Sequence, residues 1–204
     1  MYTPRMAWYD FCRGAAAGTL RLAFGIRIRV SGGNYVPRHG GFILAANHAS
    51  NLDPAVLAIA CPRQVNFMAK QELFRHLLFG ALIRSVRAFP VKRGTADLGS
   101  IREAFSRVRK GGGLLLFPQG GRRPLNDMSK PEPGVGMLSQ RMGVPVVPAF
   151  IAGTDTALPP GSKKIQRGAV LTVTFGPAIT LEKSKDYQES SSRIMKAIRS
   201  LRNG

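Results

Sequence analysis

His48 and Asp53 are the residues whose types and spacing first suggest chemistry, and they follow a short apolar run at residues 42–46. A histidine that takes a proton from a hydroxyl needs a carboxylate on its other ring nitrogen, because that partner sets the tautomer and stabilises the imidazolium. Positions five apart on one helix point about 140° from each other, so the pair can meet only across a turn, which Ser50-Asn51 can supply. The other interpretation is a loop histidine beside a helix-capping aspartate, and the spacing alone favours it.

The sequence places no serine or cysteine in a nucleophile-elbow pattern, since Gly-x-Ser-x-Gly does not occur in it. If His48 is a general base, the nucleophile is therefore the hydroxyl of an acceptor molecule. Such an enzyme transfers the group directly, without a covalent enzyme intermediate.

Two loops place an arginine beside glycine just after an apolar run, at residues 89–94 and 117–122. Glycine lets a ligand approach the backbone, and the guanidinium groups of Arg93 and Arg122 suit phosphate. Taken singly, such loops are also typical of solvated turns.

Short apolar stretches alternate with amphipathic ones along the chain, which predicts an α/β fold. The length of 204 residues suits one domain. The predicted strands cover residues 27–30, 42–46, 65–69, 88–91, 114–117, 144–150 and 170–175. The predicted helices cover residues 6–25, 53–60, 72–84, 101–108, 134–142 and 186–202.

Basic residues are spread along the chain, with 30 Lys and Arg against 11 Asp and Glu, a formal net charge of +19. Such a field attracts polyanions, either nucleic acid or an anionic membrane surface. The predicted helix at residues 6–25 places Trp8 and Phe11 on an apolar face and Arg13 and Arg21 on the opposite one, as in helices that bind a membrane surface. The alternative is that the apolar face packs on the protein core.

The remaining composition narrows the class of protein. Cys12 and Cys61 form no C-x-x-C pair, so we expect reduced thiols and a reducing compartment. The histidines lack the spacing of zinc ligands, so we expect no metal site. No apolar run reaches the roughly 18 residues of a membrane span, and no secretory signal is evident.

Four motifs in order make the chain resemble the glycerophospholipid acyltransferase family, specifically the 1-acylglycerol-3-phosphate acyltransferases. Three segments match the family's motifs in full: N-H-x-S-x-x-D at residues 47–53, F-P-[IV]-x-R at residues 89–93, and V-P-[IV]-[VI]-P at residues 144–148. The family's third motif, usually F-P-E-G-T-R, corresponds to residues 117–122. The family's A-K-x-E-L segment appears at residues 69–73. Because four ordered motifs are specific, the resemblance reverses the interpretation of His48 as an ordinary loop residue.

The resemblance implies a fold and a reaction. The implied fold is that of the glycerol-3-phosphate acyltransferases, a central mixed β-sheet flanked by helices at residues 26–204, preceded by an amphipathic membrane-surface helix at residues 1–25. The implied reaction moves an acyl chain from an acyl thioester, either acyl-CoA or acyl-carrier protein, to the free hydroxyl of lysophosphatidic acid, which gives phosphatidic acid. The resemblance implies no metal and no redox cofactor.

The resemblance also implies a role for individual residues. His48 is the general base on the acceptor hydroxyl, and Asp53 orients it. The implied substrate contacts are the acceptor phosphate for Lys70, Arg93 and Arg122, a close backbone approach for Gly120, and the acyl or thioester end for Pro145 and Pro148.

A peripheral position on the cytoplasmic face of the cell membrane follows from the resemblance together with the basic charge. The expected partner is an anionic membrane surface rather than nucleic acid. The residues expected to contact it are Trp8, Phe11, Arg13 and Arg21.

The third motif departs from the family, with Gln119 where Glu is usual and Gly121 where Thr is usual. Glutamine keeps the size and an acceptor oxygen of glutamate, loses the charge and gains two donors. We therefore expect Gln119, among the substrate-binding residues, to alter the choice of acceptor.

Three alternatives to this function stay open. They are an acyltransferase for another lysolipid acceptor such as lyso-ornithine lipid, an inactive lipid-binding relative, and a basic nucleic-acid-binding protein, for which no helix-turn-helix or zinc motif is found.

Overall fold

The computed structural model describes residues 4–92, 97–125, 127 and 131–203. Its strands are β1 (Arg27–Ser31), β2 (Phe42–Ala46), β3 (Val65–Lys70), β4 (Ala88–Val91), β5 (Gly113–Leu116), β6 (Val146–Ala152) and β7 (Val170–Phe175). Its α-helices are α1 (Pro4–Phe24), α2 (Asp53–Ala60), α3 (Leu77–Ser85), α4 (Leu98–Arg109), α5 (Pro133–Met142), α6 (Thr154–Ala157) and α7 (Tyr187–Ser200). Short 3-10 helices cover Gly33–Tyr35, Gln71–Phe74 and Leu201–Asn203.

Within the described residues, the strands form one mixed sheet in the order β1-β7-β6-β2-β5-β3-β4. Neighbouring strands run parallel except β6 and β7, which are antiparallel. The predicted α/β fold with a central mixed sheet is therefore confirmed. Because β2 to β6 run in one direction, the loops that follow them meet at one edge of the sheet, which is where open α/β sheets bind ligands.

Strand β2 lies at the centre and is buried on both faces. Phe42, Leu44 and Ala46 belong to one apolar cluster, which includes residues of α1 and α2. Ile43 and Ala45 belong to a second cluster, with residues of α4, α5 and α7. This alternation follows from the two-residue period of a strand, and it anchors the residues after β2 to both halves of the core.

The predicted strands and helices are present, with bounds shifted by a few residues. The helix predicted over residues 72–84 is divided into a 3-10 helix at Gln71–Phe74 and the α-helix α3. The 3-10 helix folds back so closely on α3 that a Cβ at Gly80 would lie 2.8 Å from the Phe74 carbonyl oxygen. The one-turn helix α6 was not predicted, because four residues are too few to show a helical period.

Helix α1 packs on the core through a different face from the one that periodicity predicts. Tyr9 and Leu20 are its buried residues, whereas Trp8, Phe11 and Leu22 are exposed. The helix therefore has both an inward face that belongs to the core and an outward face with large apolar side chains. No described helix, α1 included, is long and apolar enough to cross a bilayer.

Arg13 does not belong to a fully exposed basic face, and its predicted contact with a membrane stays a prediction. Its guanidinium is partly buried, donates to the Cys61 carbonyl oxygen at 3.0 Å and pairs with Asp10 at 3.4 Å. A long apolar stem lets a guanidinium cross a helix interface to a backbone carbonyl, which helical periodicity does not register. Arg21 is exposed. A separate membrane-surface helix at residues 1–25 stays a prediction.

Burial of Tyr9 predicts a dependence of stability on alkaline pH. Removal of the phenol from water raises the pKa of Tyr9 from 10.0 to about 12, and its oxygen accepts from the Val65 backbone N–H at 3.4 Å. The folded protein holds this proton more tightly than the unfolded chain, so stability is full below pH 10 and falls as the pH rises towards 12. Relative to Tyr9→Phe, the wild-type free energy of unfolding should fall by up to about 3 kcal/mol over this interval in urea titrations. A difference that does not change with pH would contradict this account.

Both cysteines are free thiols, as predicted. Burial raises the pKa of the Cys61 thiol to about 11. Little thiolate exists there at neutral pH, so Cys61 is a poor nucleophile and has a structural role in the core.

Candidate active site

The loop after β2 brings His48 and Asp53 into contact. Strand β2 ends at Ala46 and α2 begins at Asp53. His48 Nδ1 lies 2.8 Å from Asp53 Oδ2. The turn between them is closed by the Asp53 backbone N–H, which donates to the Ser50 carbonyl oxygen at 3.3 Å. The chain thus makes the contact across a turn, as the spacing requires.

Asp53 is fully buried, and its Oδ2 oxygen is held by three donors. Besides the His48 ring, the backbone N–H groups of Ala49 and Ser50 donate to it at 2.7 and 2.8 Å. The Oδ1 oxygen has no hydrogen-bond partner within the described structure. Three donors on one oxygen hold the carboxylate in a single orientation towards the imidazole.

A second loop, which follows β5, holds His48 from another side. The Phe117 ring stacks on the imidazole, with centroids 4.1 Å apart and planes at 19°. The Gln119 Oε1 oxygen accepts from the His48 backbone N–H at 2.8 Å, and the Arg123 N–H donates to the His48 carbonyl oxygen at 2.8 Å. These contacts fix both the ring plane and the backbone of His48. Nothing in the spacing of the sequence indicates the stacking of Phe117.

Asn47 and Ser50 have positioning roles that the sequence analysis did not assign. The Asn47 amide donates to the Ile151 carbonyl oxygen and accepts from the Ile151 N–H, both at 2.8 Å. This two-point contact ties the end of β2 to the end of β6. Ser50 Oγ donates to the Leu158 carbonyl oxygen at 2.8 Å. Both residues lie in the first motif at residues 47–53, and their position there was the only indication of these roles in the sequence.

Gln119 is buried and uses both ends of its side-chain amide. While Oε1 accepts from His48, Nε2 donates to the Asp127 carbonyl oxygen at 3.2 Å. A carboxylate at this position can make the first contact but cannot donate in the second. Gln119 therefore joins the His48 loop to Asp127, and its predicted contact with substrate stays a prediction.

Two of the three predicted phosphate-binding residues lie at the carboxyl edge of the sheet. Lys70 ends β3 and Arg122 follows β5, and both are exposed. The third, Arg93, lies outside the described residues.

Gly120 lies in the tight turn that begins at Phe117. Its φ of 67° is left-handed, a conformation that favours glycine, and its N–H donates to the Phe117 carbonyl oxygen at 3.1 Å. The turn is thus sufficient reason for this glycine, and a close approach of substrate to its backbone stays a prediction.

The structure places Pro145 far from His48, and its predicted role at the acyl or thioester end of the substrate stays a prediction. Pro145 precedes β6, and its carbonyl oxygen accepts from Ile43 at the start of β2, so it lies at the amino edge of the sheet, away from His48. Pro148 is buried inside β6, opposite Ala45. It shapes the sheet interior rather than a strand end. The sequence motif marks β6 correctly but does not show which end of that strand faces the site.

An apolar groove of about 330 Å³ lies beside the first motif, between α1, α2, α3 and the strands β3 and β4. Asn51 and Pro54, which flank the turn to Asp53, line one part of it. Its other walls are mainly apolar, with Phe67, Phe79 and Ile83 among them. A groove of this size and lining suits a hydrocarbon chain. It combines residues from these five elements and from the 3-10 helix at Gln71–Phe74, so no local pattern in the sequence indicates it.

Comparison with known proteins shows the family to which this fold belongs. The family model named Acyltransferase matches residues 27–152, more than half of the chain. The chain therefore belongs to the acyltransferase family.

The protein is an O-acyltransferase. Its named relatives are 1-acylglycerol-3-phosphate acyltransferases. It is 30% identical over 170 residues to a 1-acyl-sn-glycerol-3-phosphate acyltransferase from Bacillus subtilis (strain 168), which covers 83% of this chain and 81% of the relative. The protein of the same name from Streptococcus pneumoniae is 33% identical over 117 residues, 56% of this chain and 43% of the relative. The crystal structure of the 1-acyl-sn-glycerophosphate (LPA) acyltransferase PlsC from Thermotoga maritima has the same fold, with a TM-score of 0.82 at 20% identity over 98% of this chain and 80% of that one.

Proposed function

We propose that this enzyme transfers an acyl chain from an acyl thioester to the free hydroxyl of lysophosphatidic acid, forming phosphatidic acid. The observation that carries the proposal is the 2.8 Å contact between His48 and the buried carboxylate of Asp53 at the carboxyl edge of the sheet. The names of the relatives supply the acceptor. The donor is acyl-CoA or acyl-carrier protein, and the reaction uses no cofactor beyond these substrates.

The contacts of His48 define how the proton moves. Because Nδ1 faces Asp53, the neutral ring carries its proton there and keeps a lone pair on Nε2. Nε2 takes the proton of the acceptor hydroxyl while the hydroxyl oxygen bonds to the thioester carbonyl carbon. The tetrahedral oxyanion that forms then collapses, the carbon–sulfur bond breaks, and the thiolate leaves with the proton from Nε2. Asp53 stabilises the transient imidazolium.

Substrate placement follows from the surroundings of this pair. Lys70 and Arg122, with Arg93, neutralise the phosphate of the acceptor at the edge of the sheet. The apolar groove beside Asn51 and Pro54 receives an acyl chain. The reacting hydroxyl then lies between a polar edge and an apolar groove, which suits an amphiphilic substrate.

The enzyme acts at an anionic membrane surface, peripherally and on its cytoplasmic face. The exposed Trp8 and Phe11 of α1, whose rings stack with centroids 5.7 Å apart, together with Arg21, support this assignment. The net charge of +19 favours anionic lipid. Binding to anionic liposomes should therefore weaken as the salt concentration rises.

A panel of donors and acceptors, with lipid products identified by mass spectrometry, tests the proposal. We expect phosphatidic acid from lysophosphatidic acid, and a lower kcat/KM for this acceptor in Arg122→Gln but not in Arg199→Gln, an exposed arginine on α7. Acylation of lyso-ornithine lipid in preference to lysophosphatidic acid would overturn the acceptor assignment. Salt-sensitive DNA binding without acyl transfer would overturn the reaction as well.

Gln119→Glu should change the kinetics by a measurable factor. The carboxylate keeps the contact with the His48 N–H but brings a second oxygen against the Asp127 carbonyl, which lies 3.2 Å from Nε2 in the wild type. The shift of the two loops should alter kcat/KM and the preference among acceptors. Gln140→Glu is the matched control, because Gln140 is also buried with both amide ends bonded, to Ser190 and Ser184. Equal kinetics of Gln119→Glu and wild type on every acceptor would refute this role.

A further inference from the structure

Helix α3 exposes more large apolar surface than its position on a folded domain requires. Leu77 and Leu78 are each 85% exposed, Leu82 is 48% exposed, and Phe79 is 47% exposed. Single exposed leucines are ordinary on protein surfaces, but a contiguous group of them marks an interaction site. Leu78 and Leu82 are four residues apart and therefore share one side of the helix.

The opposite side of α3 is already engaged with the protein. Gly80 is buried against the backbone of Phe74, and Phe79 and Ile83 line the apolar groove. Leu77 and Leu78 do not line the groove. The exposed leucines thus form an outward ridge at the side of the groove.

The ridge continues onto α1. Ser85, one turn after Leu82 on the same side of α3, accepts a hydrogen bond from the Trp8 indole at 2.9 Å. Trp8 is itself exposed and stacks on the exposed Phe11. Two helices that pack together therefore offer a shared apolar surface next to the groove.

The charge around the ridge selects its partner. Residues 70–87 contain the cations Lys70, Arg75, Arg84 and Arg87 and one carboxylate, Glu72. Arg75 and Arg84 are exposed beside the ridge, and the Arg84 guanidinium lies 4.8 Å from the centroid of the Phe74 ring. Leucines that project outward between arginines match an anionic bilayer, whose headgroups take the cations while its interior takes the apolar side chains.

We propose that α3 inserts its outward ridge of Leu77, Leu78 and Leu82 into the surface of an anionic bilayer and so places the mouth of the groove at the level of the lipid chains. The inference rests on the proposed function for its purpose, since a lipid substrate then enters the groove from the bilayer. It makes α3 a second membrane contact besides α1.

Vesicle binding of a ridge variant tests the insertion without reference to activity. We expect Leu77→Ser/Leu78→Ser to bind vesicles of phosphatidylcholine and phosphatidylglycerol at least about tenfold more weakly than wild type in flotation assays. Leu98→Ser/Val170→Ser is the control, because these residues are 61% and 42% exposed on α4 and β7 and should leave binding unchanged. Thermal melting checks that both variants are folded.

Depth measurement supplies a second and independent result. In a Trp8→Phe background, which removes the one tryptophan of the chain, brominated lipid chains should quench the tryptophan fluorescence of Leu78→Trp and not that of Leu98→Trp.

Unaltered vesicle binding by the ridge variant, or no quenching at position 78, would overturn the proposal. So would a ridge that holds two copies together, seen as a dimer that Leu77→Ser/Leu78→Ser converts to monomer with no change in vesicle binding. Insertion without any acyl transfer would instead refute the proposed function alone.

Discussion

Replacing His48 by alanine is expected to lower kcat for acyl transfer by roughly 10²- to 10⁴-fold, because the acceptor hydroxyl loses the base that takes its proton. The fold should survive, since the backbone N–H groups of Ala49 and Ser50 still hold Asp53. The KM for the acceptor should change little if His48 acts mainly in the transition state. Steady-state kinetics with a soluble acyl thioester, alongside thermal melting, check both expectations.

His39→Ala is the matched control for this substitution, because His39 is an exposed histidine outside the motifs. It should retain wild-type kcat. Wild-type activity in His48→Ala would show that some other group takes the proton, and the assigned mechanism would then be wrong.

Asp53→Asn is expected to lower kcat by up to roughly 10⁴-fold while leaving the protein folded. The amide oxygen can take the place of Oδ2, which accepts from His48 and two backbone N–H groups, and the amide nitrogen can take the place of Oδ1, which has no partner among the described groups. The substitution thus keeps the shape and removes the negative charge that stabilises the imidazolium. Kinetics and melting of the same preparation separate these two effects.

Unlike Asp53→Asn, Asp53→Ala should also lower the stability of the fold. Loss of the acceptor oxygen leaves the buried N–H groups of Ala49 and Ser50 without a partner, at a cost of about 1–3 kcal/mol in stability for each group left unpaired. Asp186→Asn, at the N-terminal cap of α7, is the control for Asp53→Asn, since it also changes an aspartate bonded to a backbone N–H, and it should keep wild-type kcat. Full activity in a folded Asp53→Asn would contradict the role of its charge.

Much of the sheet could be predicted from the sequence, because each strand is a short segment in which apolar residues either alternate with polar ones or follow one another without a break. The contact of His48 with Asp53 was predicted through the four ordered motifs, because the spacing of the two residues alone favoured a loop histidine beside a capping aspartate. Local patterns thus showed that a turn at Ser50-Asn51 could bring the two residues together, and the resemblance showed that they form a pair.

Features made by distant segments were not accessible in this way. The stack of Phe117 on His48, the two-point contact of Asn47 with Ile151 and the apolar groove all depend on the order of the strands. The face of α1 was misassigned for a related reason. Tyr9 is buried, its phenolic oxygen satisfied by the Val65 N–H, whereas apolar Trp8 is exposed, so the period of α1 does not report its packing.

The central claim is that the acyl group passes directly from thioester to lysophosphatidic acid at His48. Its most direct test is a time course with an isotopically labelled acyl thioester, in which the mass spectra of the lipids and of the intact enzyme are recorded together. We predict that one labelled acyl group appears in phosphatidic acid with wild-type enzyme, that His48→Ala forms almost none, and that the enzyme mass never changes. A labelled acyl-enzyme during turnover, or labelled phosphatidic acid formed equally by His48→Ala, would contradict the claim.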